Sequence, residues 1–207
     1  MPLLGRTEGH GGMGAPWLTI ILGAWSYWLY MQYGPASPSL VWDRALYIHE
    51  PWRLLTGHFV HCGKAHILWN LPPFLFQGWL LERSGPRAWL YGVGAGIVGV
   101  DLFLALWPSA PIIYCGLSGL LNAMLVMNVF YLWVETGYHP LLLAALADFL
   151  KISAEIMNGG ALFTNASWPS VPTAHAFGFV TASALVCVLL VWARFPGRAR
   201  ARGMEAG

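Results

Sequence analysis

The chain has 207 residues, of which 57% are hydrophobic and 10% charged, with a mean hydropathy of +0.56; soluble domains carry about 25% charged residues. That balance excludes an ordinary soluble domain and indicates a membrane protein. The formal net charge is +2, and the basic residues are dispersed except for Arg194, Arg198, Arg200 and Arg202, so there is no nucleic-acid footprint and the Arg run suits anionic lipid.

Residues 1–14 are rich in Gly and are expected to form a mobile N-terminus, followed by apolar runs near 15–33, 66–82, 87–107, 113–134, 138–157 and 173–193. Each approaches the roughly 20 residues needed to cross a hydrocarbon core, so the sequence predicts an all-α integral membrane protein with six transmembrane helices in one domain, 15–194. The first run is too long, and lacks the cleavage site, for a removable signal peptide and is expected to be an anchor. The longest connection, 34–65, carries Pro35, Pro38 and Pro51 around the amphipathic stretch Leu40 to His49; with Trp42 and Trp52 it is expected to rest at the membrane interface. Residues 195–207 form a basic tail.

Charge in the short flanks orients the spans. Arg6, Arg83, Arg87 and the four C-terminal arginines lie on one side; Arg44, Arg53 and Lys64, partly balanced by Asp43 and Glu50, lie on the other. The positive-inside rule places both termini in the cytoplasm. Spans 2, 4 and 6 then all run from the outer face inward, so residues near their N-terminal ends share one depth.

Polar residues cluster at that depth. His66 and Asn70 open the second span one turn apart and therefore share a face. Ser118 sits in Gly116-Leu117-Ser118-Gly119, after Pro111, where a new helix begins and first-turn N–H groups lack intrahelical acceptors. His175 sits in Ala174-His175-Ala176-Phe177-Gly178, among small residues that permit close approach to the fourth span. Amide hydrolysis by a serine needs a base within reach of the hydroxyl and donors aimed at the developing oxyanion; these three spans offer such parts. Each piece has a plainer reading alone. Gly119 with Ala123 and Gly178 with Ala182 match small-residue helix packing, His66 and Asn70 match a packing pair, and a lone intramembrane His is a core residue or a haem or metal ligand. What separates the readings is that unrelated packing pairs need not fall at one depth.

No carboxylate is placed to orient His175, since Asp101 and Asp148 lie on odd-numbered spans, and a Ser–His dyad is expected rather than a triad. Asp148, Lys151 and Glu155 share a face of the fifth span and are expected to neutralise one another. Pro72 and Pro73 remove two donors just after Asn70 and predict a kink or local unwinding. Cys62, Cys115 and Cys187 show neither CxxC spacing nor an even count, so neither a disulfide framework nor a zinc site is expected; Cys115 is one turn before Ser118 and carries no assigned role.

Trp52-Arg53, His61, His66-x-x-x-Asn70, Gly116-x-Ser118-Gly119 and Ala174-His175-x-x-Gly178, in this order, resemble the rhomboid intramembrane proteases. The resemblance implies Ser118 as nucleophile, His175 as base, and His66, Asn70 and the Ser118 N–H as oxyanion hole, with no cofactor and no metal. The short core and the run Trp52 to His61 look like a rhombosortase, a bacterial inner-membrane enzyme whose substrates carry a C-terminal Gly-Gly motif, a hydrophobic helix and a basic end (GlyGly-CTERM). That implies single-span membrane proteins as partners and a site opening to the periplasmic side. Ala182 departs from the family, many of whose members carry a second glycine there, and is expected to space the fourth and sixth spans slightly apart. Two rivals from other classes stand beside this reading: a catalytically silent rhomboid-like scaffold that binds membrane helices, and a haem-binding or transport protein using His66, His175 and the charges of the fifth span.

Overall fold

The six apolar runs all fold as helices, and their ends are set by residues that cannot continue them. The computed structural model describes residues 15–162 and 170–194; the predicted terminal segments 1–14 and 195–207, with Arg6, Arg198, Arg200 and Arg202, lie outside the described residues. In chain order the helices are α1 (Trp17–Tyr33), a short α2 (Arg53–Phe59), α3 (Lys64–Ser84), α4 (Pro86–Leu106), α5 (Ser118–Thr136), α6 (Leu142–Asn158) and α7 (Pro172–Arg194). Three of them, α4, α5 and α7, are long and apolar enough to cross a membrane.

These three also form the centre of the fold, packed pairwise on one another, with α3 against α5, α1 against α3, and α6 against α7. The reason is steric. Gly178 of α7 lies directly on the Gly119 carbonyl of α5, so close that a Cβ at 178 would overlap that oxygen, while Ala174 and Ala182 on the same face of α7 are fully buried. In lipid, where tails are as apolar as leucine, such backbone approach supplies dispersion contacts that a larger residue prevents. Ala182 is accommodated without opening the contact at Gly178.

The opposite end of the bundle is closed by one carboxylate. Glu82, in the last turn of α3, accepts hydrogen bonds from Leu18 N (3.2 Å), Thr19 N (2.6 Å) and Thr19 Oγ1 (2.5 Å). It thereby caps the first turn of α1, whose N–H groups have no intrahelical acceptor and carry partial positive charge. The Thr19 hydroxyl in turn accepts from Trp89 Nε1 of α4 at 2.9 Å, so three helices meet on one threonine.

The connection from α1 to α3 differs from its predicted form. Trp42–Asp43 (β1) pairs antiparallel with Ile113–Tyr114 (β2), Trp42 opposite Tyr114. This pairing turns Trp42 inward, where it is completely buried, stacks on Tyr47 with ring centroids 5.2 Å apart, and packs against Gly57. Trp42 is therefore a core residue rather than an interfacial anchor, whereas Trp52 is half-exposed. Arg53, nearly fully buried, gathers the loop by donating to Pro38 O (2.8 Å), Val41 O (2.7 Å) and Glu50 Oε2 (2.6 Å).

Two further expectations change. The fourth predicted run starts at Ser118 rather than 113, because Ile113–Tyr114 is consumed by the ribbon and Gly116 takes a left-handed φ of 115°. The helix α3 runs as one element, Lys64–Ser84, through Pro72 and Pro73, so the local unwinding offered as an alternative to a kink is absent.

If the Gly119–Gly178 contact sets the spacing of α5 and α7, Gly178→Leu is expected to destabilise the detergent-solubilised protein by about 3 kcal/mol through overpacking. Gly94→Ala, in the interior of α4 where an added Cβ meets nothing within 4 Å, is expected to keep the thermal midpoint or raise it, since alanine favours a helix by about 1 kcal/mol over glycine.

Candidate active site

Ser118 is the first residue of α5 and is half-buried at the wall of a cavity of about 250 Å³. The turn that delivers it is tightly specified. Gly116 N donates to Gly57 O at 3.0 Å, and the Tyr114 hydroxyl donates to Gly116 O at 3.0 Å. A Cβ at Gly116 would lie 2.5 Å from the His66 ring in a conformation L residues rarely adopt, so glycine is required twice over. The Asn122 amide donates to Ser118 O at 2.6 Å one turn down.

His175 lies in the first turn of α7 and lines the same cavity, as do His66 and Asn70 of α3. The structure thus brings together the four side chains singled out in the sequence. Among the described residues no hydrogen bond joins Ser118 to His175 directly. Such contacts are often loose until substrate is bound.

The tautomer of His66 follows from its partner. Cys62 N donates to His66 Nδ1 at 3.3 Å, so Nδ1 is the acceptor nitrogen and Nε2 carries the proton. That N–H is a donor available at the cavity wall. Asn70 is buried and donates one amide hydrogen to His66 O at 2.9 Å, which leaves the second hydrogen of the same nitrogen.

His61, Trp52 and Arg53 stand behind the cavity rather than on it. The His61 ring meets His66 edge to face at 5.2 Å, with Nδ1 3.4 Å from Ser26 Oγ. Burial, with His66 alongside, pushes its pKa down from 6.5 to about 3, so it is a neutral prop for the His66 ring. Trp52 Nε1 donates to Ser39 O at 3.1 Å, and Arg53 holds the loop as described. Gly119 and Gly178 act by letting α5 and α7 touch.

Two expectations are corrected. Glu155 of α6, only 1% exposed, places Oε2 3.0 Å from His175 Nδ1, so His175 does have a carboxylate partner. The parity of the spans contains the missing signal. A residue near the C-terminal end of the fifth span returns to the depth at which the sixth begins; Asp101 and Asp148 were the wrong carboxylates to weigh. Asp101 instead lies 3.2 Å from His58 Nε2 of α2. Of the expected trio on α6, Lys151 pairs with Glu155 at 3.2 Å, while Asp148 keeps a buried Oδ2 without a partner among the described residues.

The second correction concerns Cys62 and Cys115, which are joined by a disulfide across 53 residues with Cα atoms 6.5 Å apart. Spacing cannot reveal such a bridge, because the β1–β2 ribbon and α2 bring its ends together. Cys62, Cys115 and His66 also present potential metal-ligand atoms within 4.8 Å of one another. While the sulfurs are bonded to each other they are not thiolate ligands.

A family model described as Rhomboid domain matches residues 49–192. RHOMBOID-like protein 2 of Arabidopsis thaliana is similar to the chain, 31% identical over 172 residues covering 77% of this chain and 50% of that protein. The chain thus spans about half the length of that relative. No solved structure matches.

The bridge ties the segment before α3 to the segment before α5, the two helices that carry His66 and Ser118. Cys62→Ala with Cys115→Ala is expected to lower stability by about 3 kcal/mol, read as a fall in thermal midpoint that dithiothreitol reproduces in the native protein.

Proposed function

Given that the chain belongs to the rhomboid family, whose members are in general intramembrane serine proteases, we propose that it is a serine endopeptidase that cuts single-span membrane proteins at or near the membrane. Ser118 is its nucleophile and His175 its general base. The observation that carries this reading is the meeting of Ser118, His175, His66 and Asn70, from three helices, on one cavity.

In the proposed reaction Ser118 Oγ attacks the scissile carbonyl carbon and its proton passes to His175. The carbonyl oxygen becomes negative beside His66 Nε2–H, the Asn70 amide and the Ser118 N–H at the start of α5. Donors fixed before the reaction stabilise that charge without reorganising. Collapse of the intermediate breaks the C–N bond, the amine leaves with the proton held by His175, and a water deprotonated by the same imidazole hydrolyses the acyl-enzyme.

The six long helices are assigned as six spans of a multi-pass membrane protein with both termini in the cytoplasm. Seven arginines in the flanks assigned to the inner side, against Arg44, Arg53 and Lys64 in those assigned to the outer side, support this orientation. The Cys62–Cys115 bridge at the same end suits an oxidising compartment. Both favour a site facing the periplasm from a bacterial inner membrane.

The substrate class proposed is that of a rhombosortase: a C-terminal Gly-Gly motif, a hydrophobic helix and a basic end. Glycine destabilises a helix by about 1 kcal/mol relative to alanine, which eases unwinding at the scissile bond.

The test is cleavage, in liposomes, of a model single-span substrate with a juxtamembrane Gly-Gly pair. Ser118→Ala and His175→Ala are each expected to reduce kcat by 10³-fold or more, about 4 kcal/mol or more in activation free energy. His66→Ala and Asn70→Ala are expected to lower kcat by about 10²-fold with little change in KM. Cleavage that persists in both Ser118→Ala and His175→Ala refutes the assignment, and absence of cleavage by the native protein favours the silent scaffold.

A further inference from the structure

Glu155 is out of place for a residue of a lipid-facing helix. It sits one turn before the end of α6, is only 1% exposed, and both of its oxygens have partners. Oε2 lies 3.0 Å from His175 Nδ1 and 3.2 Å from Lys151 Nζ, and Oε1 accepts from Leu162 N at 3.3 Å. A carboxylate buried in so apolar a setting costs several kcal/mol unless paired and hydrogen-bonded. Mutual neutralisation with Lys151, an i, i+4 pair on one helix, needs no group from α7 and so does not account for the contact with His175.

We propose that Glu155 is a positioning residue for His175: it holds the imidazole in the tautomer with the proton on Nδ1, so that Nε2 presents its lone pair to the cavity shared with Ser118. This rests on the reading of Ser118 and His175 as nucleophile and base, and replaces the expected dyad with a Ser118–His175–Glu155 array. The geometry supplies the reason. An ionised carboxylate only accepts hydrogen bonds, so its contact with Nδ1 requires the proton there, and the two ring nitrogens of a neutral imidazole cannot both carry one.

When Ser118 Oγ bonds to an electrophile, its proton moves to Nε2 and the ring becomes an imidazolium. The Nδ1 proton stays on His175, and Glu155 remains ionised and faces the new positive charge. Lys151 completes the array. Its ammonium, partly exposed at the cavity wall, favours the ionised carboxylate. A neutral carboxyl group could instead donate to Nδ1 and drive the ring proton to Nε2, the wrong nitrogen for a base. The other titratable groups lining this cavity are His66 from α3, Asp148 from α6 and Tyr114 before α5.

The test uses the full chain in liposomes and a fluorophosphonate probe, which needs no natural substrate: Oγ bonds to phosphorus, the P–F bond breaks, fluoride leaves and His175 takes the proton. The maximal labelling rate reports activation of Ser118, and the half-saturating probe concentration reports the shape of the cavity. Glu155→Gln is expected to lower the maximal rate about 100-fold with half-saturation unchanged, since glutamine keeps the shape and the acceptor oxygen but not the charge. Lys151→Met is expected to lower it about tenfold. Glu135→Gln, at the far end of α5, leaves it unchanged. A Glu155→Gln protein with the native thermal midpoint and native labelling rate overturns the positioning role, as does a shift confined to half-saturation. If that variant fails to fold, Lys151→Met decides, a native rate overturning the proposal. Labelling that survives Ser118→Ala, or a native protein that does not label, overturns the nucleophile assignment and the positioning role with it.

Discussion

Everything at the candidate site depends on the contact of two backbones, where Gly178 of α7 rests on the carbonyl of Gly119 in α5. Helices in lipid gain little from burying apolar side chains, because the alternative environment is equally apolar. They associate where small residues permit close packing, and this pair permits it one residue after Ser118 and three residues after His175. The packing device and the candidate residues are therefore inseparable. The same glycines that fix the spacing of the helices place the two side chains on one cavity.

Around this contact the polar groups are arranged so that few are left without partners. His66 is fixed by a backbone donor on one nitrogen, Asn70 by the carbonyl of its own preceding turn, and His175 by Glu155. In a medium of low polarity each such bond is strong and each missing one is expensive, so the network defines ring orientations and protonation states more firmly than it would in water. Glu155 shows the principle in its charged form. Lys151, His175 and a backbone amide converge on a carboxylate that burial alone would disfavour.

The connection from α1 to α3 does a different job. Arg53 gathers three acceptors, Trp42 fills the space above Gly57, the β1–β2 ribbon joins this loop to the approach to α5, and the Cys62–Cys115 bridge fastens the same two segments covalently. The turn at Gly116 is consequently held from both sides, by Gly57 and by Tyr114. A serine held at a helix N-terminus needs that support, since the residues before it have no helical ladder of their own.

The sequence by itself determined the helices and the four polar residues that meet. Apolar runs near span length fold as helices because lipid leaves no other way to satisfy the backbone, and the order of spans fixes which residues share a depth. Ser118, His175, His66 and Asn70 were legible on that ground, as was the small-residue face of α7. What the tertiary structure alone decided are the pairings across that depth. Glu155 was visible as a charge on α6, yet its partner on α7 depends on how the two helices rotate about their axes. Trp42 reads as interfacial until β1 pairs with β2 and turns it inward. Cys62 and Cys115 are 53 residues apart and carry no spacing signal, since their proximity is made by a ribbon two residues wide. Depth follows from counting along the chain; azimuth and loop closure follow from packing, which no local pattern encodes.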